Sequence, residues 1–523
     1  FQKAGEIARI HHVPVLIHVT ELTQPQGHST SGSHERYKSD NRLKWEKEND
    51  CNLKFRYWII ENNIATETEL EEIETSTQEE AKKAKENAWE ASLEPIRNEA
   101  KQLTNCLSDI VDKGLVIEAQ RLLKDKSINR KKIASFARKS LRLLRKQPHS
   151  QTDKLQSWIA NYFEETQPKF SAALYNDTKT SSLAVKKVEV SYEHDAPKVD
   201  GRIVLRDNFK VLFEKHDNLL VFGEDSGKIG DVNQGLEGLQ SLFGVERVAD
   251  RGIREATIVG EGIGMALRGL RPIAEIQYLD YLLYALQIMS DDLATLHYRT
   301  NGKQVCPLIV RTRGHRLEGI WHSGSPMGSL VHNLRGIFVL VPRNMTQAAG
   351  MYNTLLEGND PALVIESLNG YRLKEKLPSN LGDFRVPLGV VDKVRKGKDI
   401  TVVSYGSTLR IVHEAADELF SLGIDIEVID IQSLTPFDLN HDIRKSIEKT
   451  NRVLIVDEDV PGGGTAYILN ELLEKQQIFP LLDSIPKALS AKEHRPAYGS
   501  DGDYFSKPSI DDIVETVYEM MHE

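Results

Sequence analysis

The sequence predicts an α/β protein with parallel sheets, and two patterns support this prediction. Short apolar strands alternate with helical patterns in the last part of the chain, with strands at 399–404, 424–430 and 452–457 and helices at 410–422, 438–449 and 464–475. Such alternation is typical of parallel crossovers. In the middle of the chain, three further strand ends lie within 218–281. The carboxyl ends of parallel strands form a crevice, which is where such folds bind ligands.

Composition is that of a globular protein with several domains. The chain has 523 residues, of which 40% are hydrophobic and 28% charged, and its net charge is −10. Its length corresponds to roughly three domains, and the negative charge argues against general nucleic-acid binding. Three scattered cysteines are too few for a disulfide framework, and no apolar run is long enough to span a membrane. We therefore expect a cytoplasmic protein without a nucleic-acid or membrane partner.

The first sixty residues are predicted to be α/β. A helix at the start precedes an apolar strand at 13–19, and the strand leads into a polar loop, rich in Gly and Ser, that contains His28. Loops of this kind close over anions. A strongly helical stretch follows, in which Thr66 and Glu69 have the spacing of a capping box.

Residues 124–146 combine ten Lys or Arg with a single Asp. The apolar residues among them are spaced as on one helical face: Ile128, Ile133, Phe136, Leu141 and Leu144. A nucleic-acid or membrane role is one interpretation of such a segment. The interleaved apolar stripe favours the other, a basic amphipathic linker that packs on its own protein.

The segment 218–281 contains the candidate site. One strand ends at Glu224, and a second, at 248–250, turns into a helix that begins near Glu255 and contains three glycines. A third strand, from Arg271, ends in aromatic residues that include Tyr281. Taken alone, Glu255 is a helix-terminal carboxylate favoured by the helix dipole. Its neighbours instead indicate a carboxylate buried at a cofactor pocket.

Two further loops follow strands and are candidates for chemistry. Residues 311–326 are rich in His, Arg and Gly and contain His315 and His322. We expect His315 to be a solvated loop histidine. Residues 461–464, a Pro-Gly-Gly-Gly run before a helix, form a weak candidate for a phosphate site.

From about residue 196 onward the chain resembles the beta subunit of the thiamine-dependent first component of 2-oxo acid dehydrogenase complexes. The resemblance rests on Gly-Glu-Asp at 223–225, Arg-Glu-(x)3-Val-Gly at 254–260 and Ala-Glu-Ile-Gln-Tyr-x-Asp-Tyr at 274–281. It implies that Glu255 hydrogen-bonds the ring nitrogen of the aminopyrimidine, that Tyr281 packs on that ring, and that Glu224 is a second carboxylate nearby.

The resemblance extends to two histidines. His322 matches the family's catalytic His-Ser-Gln, which implies that it protonates a sulfur or orients the lipoyl group, although Gly324 stands where the Gln is usual. The loop around His28 resembles the Gly-His-Ser loop of the alpha subunit, which implies a place near the diphosphate and the reacting centre. Ser29 and Ser31 match a loop that is phosphorylated in some relatives, but a flexible serine loop is the favoured interpretation.

The resemblance predicts an alpha-beta fusion with the thiamine diphosphate-binding fold. We expect the C-terminal part of an alpha-subunit-like diphosphate-binding domain, with a remnant of its parallel sheet, at 1–110. A helical basic linker is expected at 111–195, a beta-subunit-like pyrimidine-binding domain at 196–382 and a transketolase C-terminal-like domain at 383–523. The family's Gly-Asp-Gly motif with a following Asn, which holds magnesium, does not occur, and 499–503 only imitates it. We therefore expect the Mg²⁺ ligands in an amino-terminal segment outside this sequence.

The implied function is oxidative decarboxylation of a small 2-oxo acid with thiamine diphosphate, followed by acyl transfer to a lipoylated dihydrolipoyl acyltransferase. A homodimer is the expected functional unit. Residues 274–281 resemble the branched-chain 2-oxo acid enzymes more than the pyruvate enzymes. Pyruvate or acetoin is the alternative substrate, and transketolase or deoxyxylulose-phosphate synthase activity is disfavoured by the loop at His28. A non-catalytic scaffold subunit that only binds the acyltransferase is the alternative from another class.

Overall fold

The computed structural model describes residues 1–24, 33–108, 112–144, 150–315, 325–497 and 499–523. The chain divides into two compact units, Phe1–Thr166 and Gln167–Glu523. Each unit has its own apolar core. No helix within the described ranges is both long and apolar enough to cross a membrane.

All regular secondary structure described in the first unit is helical, so the parallel-sheet part expected at 1–110 is not found among the described residues. Its helices are α1 (Gln2–His11), α2 (Asp40–Glu48), α3 (Cys51–Glu61), α4 (Glu67–Leu107), α5 (Lys113–Leu123), α6 (Arg130–Leu144) and α7 (Ser150–Thr166). The predicted capping box is confirmed, because the Thr66 hydroxyl accepts from the backbone N–H of Glu69 and the Glu69 carboxylate accepts from the backbone N–H of Thr66.

The predicted strand at 13–19 is wrong, since these residues form neither helix nor strand. The apolar side chains of this segment are exposed, with Leu16 93% accessible. A strand needs a neighbour to pair its backbone N–H and C=O groups. No strand is present elsewhere in residues 1–24, 33–108, 112–144 or 150–166 to supply one.

The basic amphipathic segment packs on its own unit, as the favoured interpretation predicted. Ile128, Ile133 and Leu141 are buried in one core with residues of α4, among them Leu103 and Leu107. The basic residues at 131, 138, 139 and 142 remain exposed. Burial of the apolar stripe therefore gives this helix its place in the fold, and the charges face water.

The described residues of the second unit form three sheets. Its strands are β1 (Lys198–Asp200), β2 (Leu219–Gly223), β3 (Val248–Asp250), β4 (Arg271–Glu275), β5 (Ile309–Gly314), β6 (Phe338–Leu340), β7 (Ala362–Ser367), β8 (Lys374–Lys376), β9 (Asp392–Arg395), β10 (Ile400–Ser404), β11 (Ile426–Asp430), β12 (Ser433–Thr435), β13 (Val453–Val456) and β14 (Lys487–Leu489). The seven-stranded sheet has the order β12-β6-β7-β5-β4-β2-β3, and the five-stranded sheet β14-β13-β10-β11-β9. β1 and β8 form an antiparallel pair.

Both large sheets are parallel except at one edge. β12 pairs antiparallel with β6, and β9 pairs antiparallel with β11. The predicted strands at 399–404, 424–430 and 452–457 correspond to β10, β11 and β13, and β10 pairs parallel with the other two. The predicted α/β organisation is therefore confirmed for this unit.

Helices cover the sheets of the second unit. They are α8 (Pro168–Ser171), α9 (Gly201–Lys215), α10 (Leu239–Phe243), α11 (Glu255–Leu267), α12 (Leu286–Ile288), α13 (Leu296–Arg299), α14 (Met327–Asn333), α15 (Met345–Glu357), α16 (Thr408–Ser421), α17 (Asp442–Thr450), α18 (Gly464–Asn470), α19 (Gly499–Ser506) and α20 (Ile510–His522). One buried cluster combines apolar residues of both large sheets, such as Val339 and Ile429. The two sheets therefore share a core.

Strand register places the candidate site at the carboxyl edge of the seven-stranded sheet. Gly223 at the end of β2 pairs with Glu275 at the end of β4, and Glu275 pairs with Arg311 of β5. Residues that follow these strands, including Glu224, must therefore emerge side by side. The crevice predicted from three strand ends lies at this edge.

The glycines of α11 differ in whether a larger residue would fit in their place. A Cβ added at Gly262 would lie 2.7 Å from Cδ1 of Leu308, a fully buried side chain, whereas one added at Gly264 would meet no atom within 4 Å. Close approach of α11 to the sheet therefore depends on Gly262, and not on Gly264.

We expect Gly262→Ala and Gly264→Ala to have opposite effects on stability. Gly264→Ala should raise the free energy of unfolding by about 0.5–1 kcal/mol, because Ala is the better helix former. Gly262→Ala should lower it by about 1–3 kcal/mol through overpacking against Leu308. Denaturant unfolding of the two variants measures both effects, and equal shifts would contradict this account of α11.

Candidate active site

A cleft of about 530 Å³ lies at the carboxyl ends of β2 and β4. It is lined by Glu224, Ile253, Arg254, Glu255, Ala256, Gln277, Tyr281 and Tyr284. The structure therefore brings together three of the predicted site residues, Glu224, Glu255 and Tyr281. Two carboxylates and two phenol rings on one cleft can accept hydrogen bonds from a flat polar ring and pack against its face.

Glu255 is the first residue of α11. Its side chain is half-buried, so the expectation of a buried carboxylate is corrected to one at the cleft wall. The side chain is only half-buried because it borders the open volume of the cleft. Arg254 at the N-cap makes no side-chain capping bond. A carboxylate in the first turn also interacts favourably with the helix dipole, so the structure agrees with both interpretations of this residue.

Glu224 follows β2 directly and is the second carboxylate of the cleft. Partial burial raises its pKa, and the negative charges of Asp225 and Glu255 raise it further. The Glu224 carboxylate therefore takes up a proton at a higher pH than an ordinary glutamate, and the cleft concentrates negative charge.

Tyr281 lies in a short 3₁₀ turn, Leu279–Tyr284, that follows β4. Its ring meets that of Tyr278 edge to face, with 5.8 Å between centroids. Desolvation raises the pKa of Tyr281, with smaller contributions from Tyr278 and Glu224. The phenol therefore stays neutral and presents an aromatic surface to the cleft.

A cluster of buried charges lies at the same edge of the sheet, and the sequence analysis did not predict it. Arg311 and Arg313 of β5 are fully buried. Arg311 binds Glu366 through two hydrogen bonds, of 2.9 and 3.0 Å, and also pairs with Asp231 and Glu275. The sequence signal was the pair of arginines two residues apart in an apolar strand, a period that places both on one face.

The cluster contains three carboxylates and two guanidinium groups, all fully buried. Burial raises the pKa of Glu275, against the attraction of Arg313 and Arg311. Burial also acts to raise the pKa of Asp231, but Arg313 and Arg311 outweigh it and lower that pKa. Asp231 additionally accepts from the backbone N–H groups of Asn233 and Gly235, which accounts for the difference between the two acids.

The prediction for His315 is wrong, because its side chain is fully buried. Nε2 of His315 lies 3.0 Å from the Asp457 carboxylate, and Nδ1 accepts from the backbone N–H of Ser407 at 3.2 Å. Its ring also stacks on Tyr405. The histidine therefore joins the end of β5 to the five-stranded sheet, a packing role that the polar loop around it concealed.

Two predicted catalytic residues, His28 and His322, lie outside the described residues, as do Ser29 and Ser31. Their roles remain predictions. The candidate phosphate loop at 461–464 is described, and the backbone N–H of Gly464 donates to the carboxylate of Asp459 at 2.7 Å. The predicted phosphate site is therefore corrected, because the Asp459 carboxylate already accepts from the first N–H group of the helix.

The cleft fits the aminopyrimidine end of thiamine diphosphate. Its carboxylates can accept from the exocyclic amino group and from a protonated ring nitrogen, and its phenol rings can pack on the ring's face. Among all described residues, no group of three or more His, Cys, Asp or Glu could hold a metal ion. Residues for the metal and diphosphate end are therefore not identified among the described ones.

Family models match two parts of the chain. The transketolase pyrimidine-binding domain matches residues 197–374, and the transketolase C-terminal domain matches residues 389–503. A solved structure, a split-gene transketolase described as an inactive beta4 tetramer, covers 62% of this chain and 99% of its own, with a TM-score of 0.50 and 19% identity. These matches confirm the predicted fold class of the second unit.

Curated relatives are similar over about half of the chain. The 2-oxoisovalerate dehydrogenase subunit beta of Bacillus subtilis (strain 168) is 33% identical over 274 residues, which are 52% of this chain and 83% of the relative. The pyruvate dehydrogenase E1 component subunit beta of the same organism is 33% identical over 265 residues, 50% of this chain and 80% of the relative. The chloroplastic pyruvate dehydrogenase E1 component subunit beta-4 of Oryza sativa subsp. japonica is also 33% identical, and the match covers 61% of this chain and 80% of the relative.

We expect Asp231→Asn to destabilise the protein more than Glu275→Gln does. Asp231→Asn leaves two guanidinium groups short of a carboxylate that is also held by two backbone N–H groups, so the free energy of unfolding should fall by about 3 kcal/mol. Glu275→Gln relieves repulsion from Asp231 and Glu366 and should cost less than about 1.5 kcal/mol. Urea unfolding at neutral pH compares them, and a larger loss for Glu275→Gln would refute this assignment of charges.

Proposed function

Because the chain belongs to the family of beta subunits of 2-oxo acid dehydrogenase first components, we propose that the protein uses thiamine diphosphate to decarboxylate a 2-oxo acid oxidatively. The observation that carries the proposal is the meeting of Glu224, Glu255 and Tyr281 at one cleft. The bound cofactor supplies the electron sink for decarboxylation, and the protein supplies position and charge.

Each of the three residues has a proposed role toward the aminopyrimidine ring. The Glu255 carboxylate holds a proton shared with the ring nitrogen, which requires a carboxylate fixed in direction, as the first turn of a helix provides. Tyr281 packs against the ring. Glu224 adds a second negative charge that favours a ligand with several N–H donors.

We favour a branched-chain 2-oxo acid as substrate, with pyruvate or acetoin as the alternative. The equal 33% identity to the 2-oxoisovalerate and pyruvate relatives does not distinguish the two substrates, and the preference rests on residues 274–281.

In this proposal His322 assists acyl transfer to the lipoyl group of a dihydrolipoyl acyltransferase, and His28 lies near the reacting centre. The functional unit is a magnesium-dependent homodimer. The alpha-beta fusion, the four-part domain division and the cytoplasmic location also remain predictions.

A scaffold that only binds the acyltransferase is the second candidate function. One observation favours it, which is that the Gly-Asp-Gly motif with its following Asn does not occur in this sequence. The conjunction of two carboxylates and two tyrosines at the cleft favours the enzyme.

We expect Glu255→Gln to reduce decarboxylation at least about a hundredfold, the typical contribution of a positioned acid-base group. The assay supplies 3-methyl-2-oxobutanoate or pyruvate, thiamine diphosphate, Mg²⁺ and an artificial electron acceptor. Glu246→Gln, an exposed glutamate two residues before β3, is the matched control and should retain full activity.

Faster turnover of pyruvate than of the branched acid would reverse the substrate preference and keep the mechanism. Equal activity of the Glu255→Gln variant and the unaltered protein would remove Glu255 from the mechanism. Turnover of neither acid, with no cofactor bound but with the acyltransferase retained, would favour the scaffold.

We expect thiamine binding to weaken as the pH falls through the raised pKa of Glu224, because the cleft then loses a negative charge that attracts the cationic ligand. The stability of the fold depends on pH in the opposite direction. Because folding raises the pKa of Glu224, the stability that this group contributes is fully present below its ordinary pKa of 4.5 and is lost as the pH rises through the raised pKa. Glu224→Gln should therefore make both thiamine binding and stability less dependent on pH. Calorimetric titration and thermal unfolding across pH 4 to 8 or so measure them, and an unchanged pH profile of binding in the variant would exclude Glu224 as the titrating group.

A further inference from the structure

Two loops contribute side chains to the cleft, and Arg313 bonds to both of them. The first loop follows β2 and contains Asp231, whose carboxylate Oδ2 lies 2.9 Å from Nη2 of Arg313. The second follows β4, and the backbone carbonyl of Gln277 accepts from Nη1 of Arg313 at 3.3 Å. One side chain on β5 thus connects loops that are 46 residues apart in sequence.

Asp225 connects the same two loops a second time. Its carboxylate accepts from Nε2 of Gln277 at 3.0 Å, and its backbone carbonyl accepts from the backbone N–H of Asp231 at 2.8 Å. Arg313, Asp231, Asp225 and Gln277 therefore form a closed ring of three hydrogen bonds and one ion pair. Gln277 lines the cleft, as does Glu224, the neighbour of Asp225.

Arg313 is itself held firmly. Its side chain is fully buried, Nη2 pairs with Glu275 at 3.1 Å, and its guanidinium lies over the Tyr371 ring, 5.5 Å from the centroid. A planar guanidinium can direct separate N–H groups at two acceptors, which a lysine ammonium on a flexible stem cannot do in the same fixed geometry.

We propose that Arg313 is a positioning residue that fixes the separation between the two cleft loops, and so holds Glu224 and Gln277 in place for the aminopyrimidine ring. The identity of the ligand rests on the function proposed above, whereas the connection between the loops does not. Arg313 contacts no ligand in this account and acts through Asp231 and Gln277.

Arg313→Lys tests the proposal, because it keeps a buried positive charge beside Asp231 and Glu275 and removes the fork that reaches Gln277. Arg311→Lys is the matched control, with the same strand, burial and chemical change. Arg311 bonds to Asp231, Glu275, Glu366 and Tyr371, and it makes no described bond to Gln277.

Amide hydrogen exchange of the ligand-free protein is the first measurement. We expect Arg313→Lys to accelerate exchange about tenfold in both 225–235 and 276–281, the effect of losing about one hydrogen bond. In Arg311→Lys, exchange at 276–281 should be no faster than the change in that variant's global stability accounts for. Unchanged exchange of both loops in Arg313→Lys would overturn the proposal.

Calorimetric titration with thiamine is the second measurement, and it separates positioning from stability. Arg313→Lys should bind thiamine about tenfold more weakly, and Arg311→Lys within about twofold of the unaltered protein even where its melting temperature falls as far. Equal losses of affinity in both variants would reduce Arg313 to a stabilising residue. If the unaltered protein binds no thiamine, the proposed function fails, and the exchange result still decides on Arg313.

Asp225→Gly keeps the test valid if Arg313→Lys does not fold. It breaks the ring on the side away from the buried charges, and glycine adopts the left-handed backbone of residue 225, with φ 59°, without strain. Faster exchange at 276–281 would support the ring, and unchanged exchange there would contradict it.

Discussion

The pairing of two buried guanidinium groups with three buried carboxylates is the interaction on which the second unit depends. Arg311 and Arg313 lie on the central strand β5, and their partners come from the loop after β2, from β4 and from β7. Breaking such a pair by removing one partner leaves an uncompensated buried charge, which is far more costly than losing a surface ion pair. The strands and loops that supply these partners are therefore held in one arrangement.

The cleft lies directly beside that cluster. Strand register places Gly223, Glu275 and Arg311 in one row, so the residues that follow β2 and β4 emerge beside the buried charges. Glu224 and Gln277 are one and two residues beyond that row. A rigid layer next to a binding site limits how far its side chains can move, which is what a site for a flat ring requires.

Local patterns in the sequence predicted the α/β fold of the second unit, because parallel strands are short apolar runs that alternate with helices. They also predicted the capping box at Thr66 and the convergence of Glu224, Glu255 and Tyr281. Prediction failed where a tertiary partner decides the outcome. The apolar segment at 13–19 has no strand to pair with among the described residues of its unit, and His315 is buried because Asp457, 142 residues later, reaches its ring. Neither the lack of a pairing strand nor a distant partner is visible in a local window.

The charges of the cleft argue for a ligand and against a passive surface. Partial burial raises the pKa of Glu224, and the negative charges of Asp225 and Glu255 raise it further, so the cleft bears an electrostatic cost that folding does not require. The buried cluster, by contrast, balances most of its charges internally. A surface that only docks a partner gains nothing from carboxylates recessed beside aromatic rings, whereas a ring with N–H donors would relieve their repulsion on binding. The uncompensated charge is thus located where a ligand would compensate it.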